Sequence, residues 1–180
     1  FNCPQLGILS CAASVRAAGG KVELVDAVAD GNYMSDLDAK IRAHDVVGIT
    51  ANVSQAYSGR EIARHIRRRH PEKKIVWGGP YPSAEYARLV PELADAVVIG
   101  EGETQIAEIA KGSPFESIPS LAFWSGGKLR VNERRGYIED LDALPLPAWD
   151  LVEVTRYNFP GLSPGALMQT QRGCPFNCIN

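Results

Sequence analysis

The chain contains 180 residues, of which 45% are hydrophobic and 22% are charged, proportions typical of one globular domain or slightly more. Its 19 lysines and arginines are balanced by 21 aspartates and glutamates, so the charge does not indicate nucleic acid or an anionic membrane as a partner. No apolar run approaches the ~18 residues of a membrane span, and no secretory signal is visible. We therefore expect a cytoplasmic protein.

The first part of the chain alternates between helix-like and strand-like patterns. An alanine-rich stretch, Leu6–Ala18, is predicted to be a helix closed by two glycines. A later helix is predicted to open at the capping box Ser58–Glu61, and Ser83 is placed to cap another. Four short apolar runs are predicted to be strands: Lys21–Val25, Asp45–Thr50, Lys74–Gly78 and Asp95–Gly100.

The predicted strands are almost continuously apolar, which is typical of strands buried on both faces of a parallel sheet. We therefore predict a doubly wound, flavodoxin-like (Rossmann-like) α/β domain over residues 1–112. Such a domain normally opens with a strand, whereas the first predicted strand here follows a helix. Either the opening strand lies upstream of Phe1 or the N-terminus is irregular.

Beyond Gly112 the pattern changes to turn and breaker residues. Ser120–Trp124 and Lys128–Asn132 flank a Ser-Gly-Gly sequence, which predicts a β-hairpin. Prolines interrupt the stretch that follows, so residues 113–164 are predicted to form a hairpin and an extended connector. Ala166–Gln171 is predicted to be one more strand, which opens a further domain over residues 165–180.

Small and polar residues follow three successive predicted strands, at the edge where an open α/β sheet binds its ligands. Glycine lets the backbone approach a ligand closely, so three such loops predict a broad, shallow binding platform. For any one loop, the need of a short turn for glycine and proline is an alternative explanation. The candidate residues are Thr50, Ala51, Asn52, Val53 and Ser54; Gly78, Gly79, Pro80, Tyr81 and Ser83; and Gly100, Glu101, Gly102 and Glu103.

The sequence contains no complete phosphate-binding glycine motif. Neither G-x-x-x-x-G-K-[ST] nor G-x-G-x-x-G occurs, and Glu101 and Glu103 would repel a pyrophosphate, which disfavours a nucleotide-binding enzyme. The three histidines, His44, His65 and His70, lie on or beside predicted polar helix faces. We interpret them as solvated surface side chains.

The chain has four cysteines, for which metal or redox chemistry is a better explanation than disulfides in a cytoplasmic protein. Cys174 and Cys178 have C-x₃-C spacing. A third cysteine at position 181 would complete three ligands of a [4Fe–4S] cluster and leave its fourth iron open. Two unrelated buried thiols explain the spacing alone equally well. Cys3 and Cys11 make a poor second pair for a zinc site.

Several motifs occur in a fixed order along the whole chain. The most specific are Gly-Gly-Pro-Tyr-Pro at residues 78–82 and Gly-Glu-Gly-Glu at residues 100–103. Leu141–Asp150 and the loop Arg172–Cys178 follow them. In these motifs and their spacing, the chain resembles the N-terminal half of cobalamin-binding radical S-adenosylmethionine (SAM) enzymes.

The resemblance implies a cobalamin domain, a connector and the first strand of a radical SAM barrel. It implies that cobalamin lies across the three loops, with Leu6 and Gly7 as further contacts, and that Cys174 and Cys178 are cluster ligands. The motif D-x-H-x-x-G is absent, as in most members of this family, so cobalamin would bind without a histidine below cobalt. Tyr81 stands where many relatives have histidine.

The implied function of the parent enzyme is methyl transfer to an unactivated carbon, with cobalamin, a [4Fe–4S] cluster and SAM as cofactors. The implied partners are a small-molecule substrate and an electron donor such as a flavodoxin or ferredoxin. Alternatives are cyclisation or rearrangement chemistry within the same family, or a non-catalytic cobalamin-binding module. A radical SAM methylthiotransferase would need three further cysteines in this region. We expect the chain by itself to bind cobalamin without turnover.

Overall fold

The computed structural model describes residues 3–157 and 166–173. These residues contain the strands β1 Val46–Thr50, β2 Lys74–Gly78, β3 Ala96–Val98, β4 Leu121–Ser125 and β5 Lys128–Val131. All five form one sheet, in which their order is the order of the chain. The first three strands are parallel, and β4 and β5 continue the sheet in antiparallel pairing.

Five α-helices lie within the described part of the chain: α1 Leu6–Ala17, α2 Tyr33–Arg42, α3 Ala56–Arg69, α4 Pro80–Leu89 and α5 Glu103–Ala110. The predicted start of a helix at Ser58 is wrong, because α3 begins two residues earlier, after a 3₁₀ turn over Val53–Gln55. Within residues 3–157 and 166–173, no helix has both the length and the hydropathy needed to cross a membrane.

Helices cover both faces of the sheet. Side chains of α2, α3 and α4 pack against one face, and α5 packs against the other. Neighbouring residues of a strand point to opposite faces, so β2 and β3 are buried on both sides. The first face contains Ile49, Ile75, Trp77 and Val97, and the second contains Val76, Ala96 and Val98. The predicted doubly wound α/β class is confirmed.

Trp77 is the largest fully buried side chain of the core, and it lies between β2 and α3. Its indole nitrogen donates a hydrogen bond to the carbonyl of Leu93 at 3.1 Å, so its one polar atom is satisfied. A Cβ atom added at Gly59 of α3 would lie 2.9 Å from the Trp77 ring. Glycine at this helix position is therefore what allows α3 to approach the sheet so closely.

Two of the predicted strands are not formed. Lys21–Val25 has no strand partner among the described residues, and the carbonyl of Leu24 instead accepts a hydrogen bond from the Lys40 ammonium group. Ala166–Gln171, the predicted barrel strand, is exposed and has no strand partner within residues 3–157 and 166–173. A run of suitable residues becomes a strand only when a neighbouring strand accepts its backbone groups, which the sequence of the run does not show.

The predicted hairpin is confirmed as β4 and β5. Its turn residues Gly126 and Gly127 have φ angles of +60° and +76°, which is the left-handed backbone that two-residue hairpin turns require. Because β4 pairs with β3, the sheet continues past Gly112, where the sequence predicts a domain boundary. The boundaries at residues 112 and 164 stay predictions.

The connector folds back along the first helix. The backbone amide of Ala148 donates to the carbonyl of Leu9 at 3.1 Å. The guanidinium group of Arg16 donates to both carboxylate oxygens of Asp150, at 2.8 and 2.7 Å. Tyr157 is buried at the end of this segment. The described part of the predicted connector is thus held to the α/β domain at these positions.

The interpretation of the three histidines as solvated side chains is wrong, because their side chains are only 23%, 20% and 10% exposed. The Nδ1 atom of His44 lies 2.9 Å from the carbonyl oxygen of Lys40. The Nε2 atoms of His65 and His70 lie 2.8 and 3.0 Å from the same carboxylate oxygen of Asp38, and Arg69 lies 3.3 Å from the other oxygen. Burial raises the pKa of Asp38, but the hydrogen bonds from the two histidines outweigh burial and lower it. This cluster joins α2 to the C-terminal end of α3.

We predict that Asp38→Asn lowers the free energy of unfolding by about 1–3 kcal/mol at pH 7, because the neutral amide oxygen of asparagine is a weaker acceptor for the two histidines than the carboxylate is. The folded-state pKa of Asp38 lies below its ordinary value, so its contribution is present above the unfolded pKa and is lost as the pH falls through the folded pKa. Urea unfolding from pH 7 down to pH 3 should show the difference between variant and wild type shrinking.

Asp36→Asn is the matched control, because Asp36 pairs with Lys40 on the same helix and is more exposed. Loss of that pair should cost about 0.5 kcal/mol or less. A difference between Asp38→Asn and wild type that stays constant over this pH range would contradict the assigned role of the carboxylate.

Candidate functional site

Three loops meet at the carboxyl ends of the parallel strands. The first loop, Thr50–Ser54, follows β1; the second, Gly78–Ser83, follows β2; and the third, Gly100–Glu103, lies beyond the end of β3. Thr50 is the register partner of Gly78, so the first two loops leave the sheet side by side. We call the three loops together the strand-end surface, and it brings together the candidate residues of the sequence prediction.

The first loop is held by a capping box. The side-chain oxygen of Asn52 accepts hydrogen bonds from the backbone amide of Gln55 at 3.1 Å and from the hydroxyl of Ser54 at 2.7 Å. In return, the Gln55 side chain accepts from the backbone amide of Asn52 at 3.1 Å. Gln55 is absent from the predicted site, although the pattern Asn-x-x-Gln is itself a capping signal. The exposed Val53 is therefore presented by an ordered turn.

Glycine brings the second loop against the first. Gly79 has a φ angle of +100°, and a Cβ atom there would lie 2.8 Å from Thr50 Oγ1 and 3.1 Å from the carbonyl oxygen of Ala51. The same carbonyl accepts a hydrogen bond from the backbone amide of Tyr81 at 3.2 Å. The left-handed backbone and the close approach both require glycine at position 79.

Ser83 joins the second loop to the third. The sequence predicts Ser83 as a helix cap, but α4 begins at Pro80 and Ser83 lies inside it. Its hydroxyl instead accepts a hydrogen bond from the backbone amide of Gly100 at 3.1 Å and donates to the carbonyl of Val98 at 3.4 Å. The prediction of Ser83 as a helix cap is therefore wrong, and the side chain connects two loops.

The strand-end surface is open and lacks side-chain bulk at two of its glycines. Cβ atoms added at Gly78 and Gly100 would meet nothing within 4 Å. The exposed candidate residues are Asn52, Val53, Ser54, Pro80 and Gly100, whereas Ala51 and Glu103 are buried. Such a surface suits a broad, flat ligand better than a small molecule that needs an enclosed pocket.

No imidazole faces the strand-end surface. His44 lies two residues before β1, His70 lies four residues before β2, and His65 lies in the last turns of α3, so all three histidines lie at the opposite edge of the sheet. The half-buried Tyr81 packs edge-on against Trp77, with ring centroids 6.3 Å apart, and its hydroxyl accepts a hydrogen bond from Arg60.

Leu6 and Gly7 form the first turn of α1, which packs against α5. One turn further along, the sulfur of Cys11 contacts the third loop, because a Cβ atom at Gly102 would lie 3.4 Å from it. Burial, reinforced by the Glu103 carboxylate, raises the pKa of Cys11 to about 12. Cys11 is therefore a protonated packing residue at neutral pH, and α1 lies next to the third loop.

The two glutamates of the third loop bind Arg172. Its guanidinium group lies 3.1 Å from a Glu101 oxygen and 2.5 Å from a Glu103 oxygen. The hydrogen bond to Glu103 raises the pKa of Arg172 above its ordinary value. The sequence alone did not connect this arginine to the glutamates, because the residues are about 70 positions apart in the chain.

The predicted cluster ligands Cys174 and Cys178 lie outside the described residues. Among residues 3–157 and 166–173, no group of three or more histidine, cysteine, aspartate or glutamate side chains could hold a metal ion.

A family model for the B12 binding domain matches residues 1–110, which include all three loops. The chain belongs to the B12-binding domain family. Among solved structures, the radical S-adenosylmethionine methyltransferase TsrM from Kitasatospora setae, with cobalamin and a [4Fe–4S] cluster bound, aligns with a TM-score of 0.65 and 17% identity. That alignment covers 92% of this chain and 34% of TsrM, and it shows a shared fold.

Three curated relatives match almost the whole chain. An uncharacterized methyltransferase of Pyrococcus horikoshii is 33% identical over 98% of this chain and 40% of its own length. The anaerobic magnesium-protoporphyrin IX monomethyl ester cyclase of Synechocystis is 26% identical over 97% of this chain and 37% of its own length. The hopanoid C-3 methylase of Methylococcus capsulatus is 29% identical over 96% of this chain and 34% of its own length. The chain thus spans two fifths or less of these relatives.

The residues at the strand-end surface fit cobalamin. The ring of this cofactor is broad and flat, and Gly78 and Gly100 leave an unobstructed surface on which it can lie. The three loops are held to one another by backbone and Ser83 hydrogen bonds, so contacts within the chain maintain the surface. With every histidine at the other edge of the sheet, this chain would leave the cobalt without an imidazole ligand.

We predict that Gly79→Ala lowers the free energy of unfolding by about 1–3 kcal/mol more than Gly100→Ala does. Both substitutions place alanine in left-handed backbone, at a cost of about 1 kcal/mol each. Only at position 79 does the added Cβ also collide with Thr50 and Ala51. Urea unfolding of the two variants measures the difference, and equal destabilisation would contradict the proposed close contact between the first and second loops.

Proposed function

We propose that this chain is the cobalamin-binding N-terminal part of a cobalamin-dependent radical SAM methyltransferase that acts on an unactivated carbon. The observation that carries the proposal is the coincidence of the B12-binding match with the open surface formed by the three loops. Methyltransferases are among the relatives that match over nearly the whole chain, connector included. This match beyond residue 110 disfavours a separate, non-catalytic cobalamin-binding module.

In this proposal, the glycine backbone of the second and third loops would hold the broad ring of cobalamin. Asn52 and Ser54 offer polar groups at the exposed rim, where the amide side chains of the cofactor could be bound. Ser83 and Gly79 keep the three loops in register beneath it. Bound cobalamin would supply the methyl group for transfer, because cofactors carry this chemistry and the protein positions them.

Cys174 and Cys178 are proposed to bind a [4Fe–4S] cluster, since thiolates are the ligands such clusters require. SAM would bind at the open iron of that cluster. The proposed partners are a small-molecule substrate and an electron donor such as a flavodoxin or ferredoxin, in the cytoplasm. Cyclisation is the second candidate reaction, because one relative is a monomethyl ester cyclase.

We predict that the protein retains close to one equivalent of hydroxocobalamin after anaerobic incubation and desalting, with an absorption spectrum that lacks the signature of a histidine ligand. Gly78→Leu should reduce retention at least about tenfold, because the new side chain projects into the open space of the surface. Gly48→Leu is the matched control. It adds the same side chain at an open strand glycine in the middle of β1 and should retain cobalamin like the wild type.

If the wild-type protein retains no cobalamin after desalting, the proposed function is overturned. Equal retention by Gly78→Leu and wild type would instead show that cobalamin binds elsewhere on the protein. A spectrum of histidine-ligated cobalamin from this chain would contradict the position of the three histidines at the opposite edge of the sheet.

For the whole protein, we predict that 5′-deoxyadenosine forms when the reconstituted, reduced enzyme is given SAM, and that Cys174→Ala abolishes it because the cluster loses a ligand. Cys3→Ala removes a cysteine outside the strand-end surface and should leave this product unchanged. S-Adenosylhomocysteine is the second product expected from a methyltransferase. Formation of 5′-deoxyadenosine alone would favour the cyclisation reaction.

A further inference from the structure

Arg172 is the one residue of the described segment 166–173 that forms ion pairs with the α/β domain. Its Nη1 atom donates to Glu101 at 3.1 Å and its Nη2 atom donates to Glu103 at 2.5 Å. The Nε atom donates to Gln169 at 3.1 Å, so every nitrogen of the guanidinium group has a partner. A rigid fork of donors can satisfy two carboxylates at once, which the point charge of lysine does not do.

The two carboxylates at this contact are largely buried, so removal of Arg172 is expected to be costly. The side chain of Glu103 is only 4% exposed, and that of Glu101 is 19% exposed, so both carboxylates have lost most of their water. Removing the cation from a buried pair leaves an uncompensated charge, which is far more costly than removing a surface pair. Cys11, the neighbouring thiol, stays protonated and neutral, so it supplies no charge that could compensate the two carboxylates.

The same two carboxylates organise the third loop and the connector. The second oxygen of Glu103 accepts a hydrogen bond from the backbone amide of Gly102 at 3.1 Å. The second oxygen of Glu101 accepts from the backbone amide of Ile138 at 2.6 Å. Arg172 is therefore joined through single side chains to the loop proposed to face cobalamin and to the connector.

We propose that Arg172 is a positioning residue that fixes the segment leading into Cys174 on the third loop, and thereby sets the distance between cluster and cobalamin. The chain length supports this step, because two residues span at most about 7 Å and Cys174 follows Arg172 by two positions. The inference rests on the proposed function for its cofactors. The ion pairs that carry it are independent of that function.

Two measurements on the whole protein test the proposal. Hydrogen exchange of the cofactor-free protein should show amides 102 and 138 exchanging at least about tenfold faster in Arg172→Gln than in wild type, because their carboxylate acceptors lose their cation. After reconstitution with hydroxocobalamin, iron and sulfide and partial reduction, dipolar electron paramagnetic resonance should give one narrow cluster–cobalamin distance in wild type and a broad distribution in the variant.

Further variants separate charge from geometry. Arg172→Lys keeps the charge without the fork and should give intermediate exchange and an intermediate distribution of distances. The double variant Glu103→Gln with Arg172→Gln should exchange no faster than Arg172→Gln alone, since the two residues act as a pair. Arg16→Gln is the matched control, because it removes another arginine–carboxylate pair of the connector that does not touch the third loop.

Wild-type exchange rates in Arg172→Gln overturn the proposal. Faster exchange with an unchanged narrow distance also overturns it, because Arg172 would then stabilise the loop without placing the cluster. A wild-type protein that binds no cobalamin refutes the proposed function and, with it, the link to the cofactor distance. The exchange measurement still decides whether Arg172 holds the third loop in that case.

Discussion

The parallel pairing of β1 with β2 is the constraint on which the rest of the strand-end surface depends. It places Thr50 directly beside Gly78, so that the two loops that follow leave the sheet together. The loops can then pack as closely as they do only because position 79 is glycine. The hydrogen bond between Ser83 and the amide of Gly100 extends this arrangement to the third loop. The surface is thus built by backbone contacts among the loops.

Charged side chains do different work at the two edges of the sheet. At the edge opposite the loops, the Asp38 carboxylate contacts two histidines and an arginine, and these contacts hold α2 to the end of α3. At the strand ends, Glu101 and Glu103 bind Arg172 and connect the domain to the segment before the cysteine motif. All three histidines lie at the edge opposite the loops, so the surface proposed for cobalamin contains none of them. Cobalt chemistry without a protein imidazole is consistent with this division.

The proposed function gives each of these features a role. Glycines in the second and third loops provide room for a flat cofactor, and Ser83 holds those loops together. Arg172 would then place a cluster relative to that cofactor through the glutamates of the third loop. This chain covers two fifths or less of the length of these relatives, so the substrate stays outside what its residues reveal.

The sequence by itself determined the α/β class, the hairpin and the positions of the three loops, because these follow from apolar runs, glycines and turn residues that are local in the chain. It also predicted Lys21–Val25 and Ala166–Gln171 as strands, and neither pairs with another strand of the described residues, because a strand needs a partner that local pattern does not reveal. Only the tertiary structure decided the contacts of Ser83, His65, His70 and Arg172. Each of these side chains binds a group that is 15 to 71 positions away in the sequence. Residues so far apart in the chain come into contact only when the chain folds.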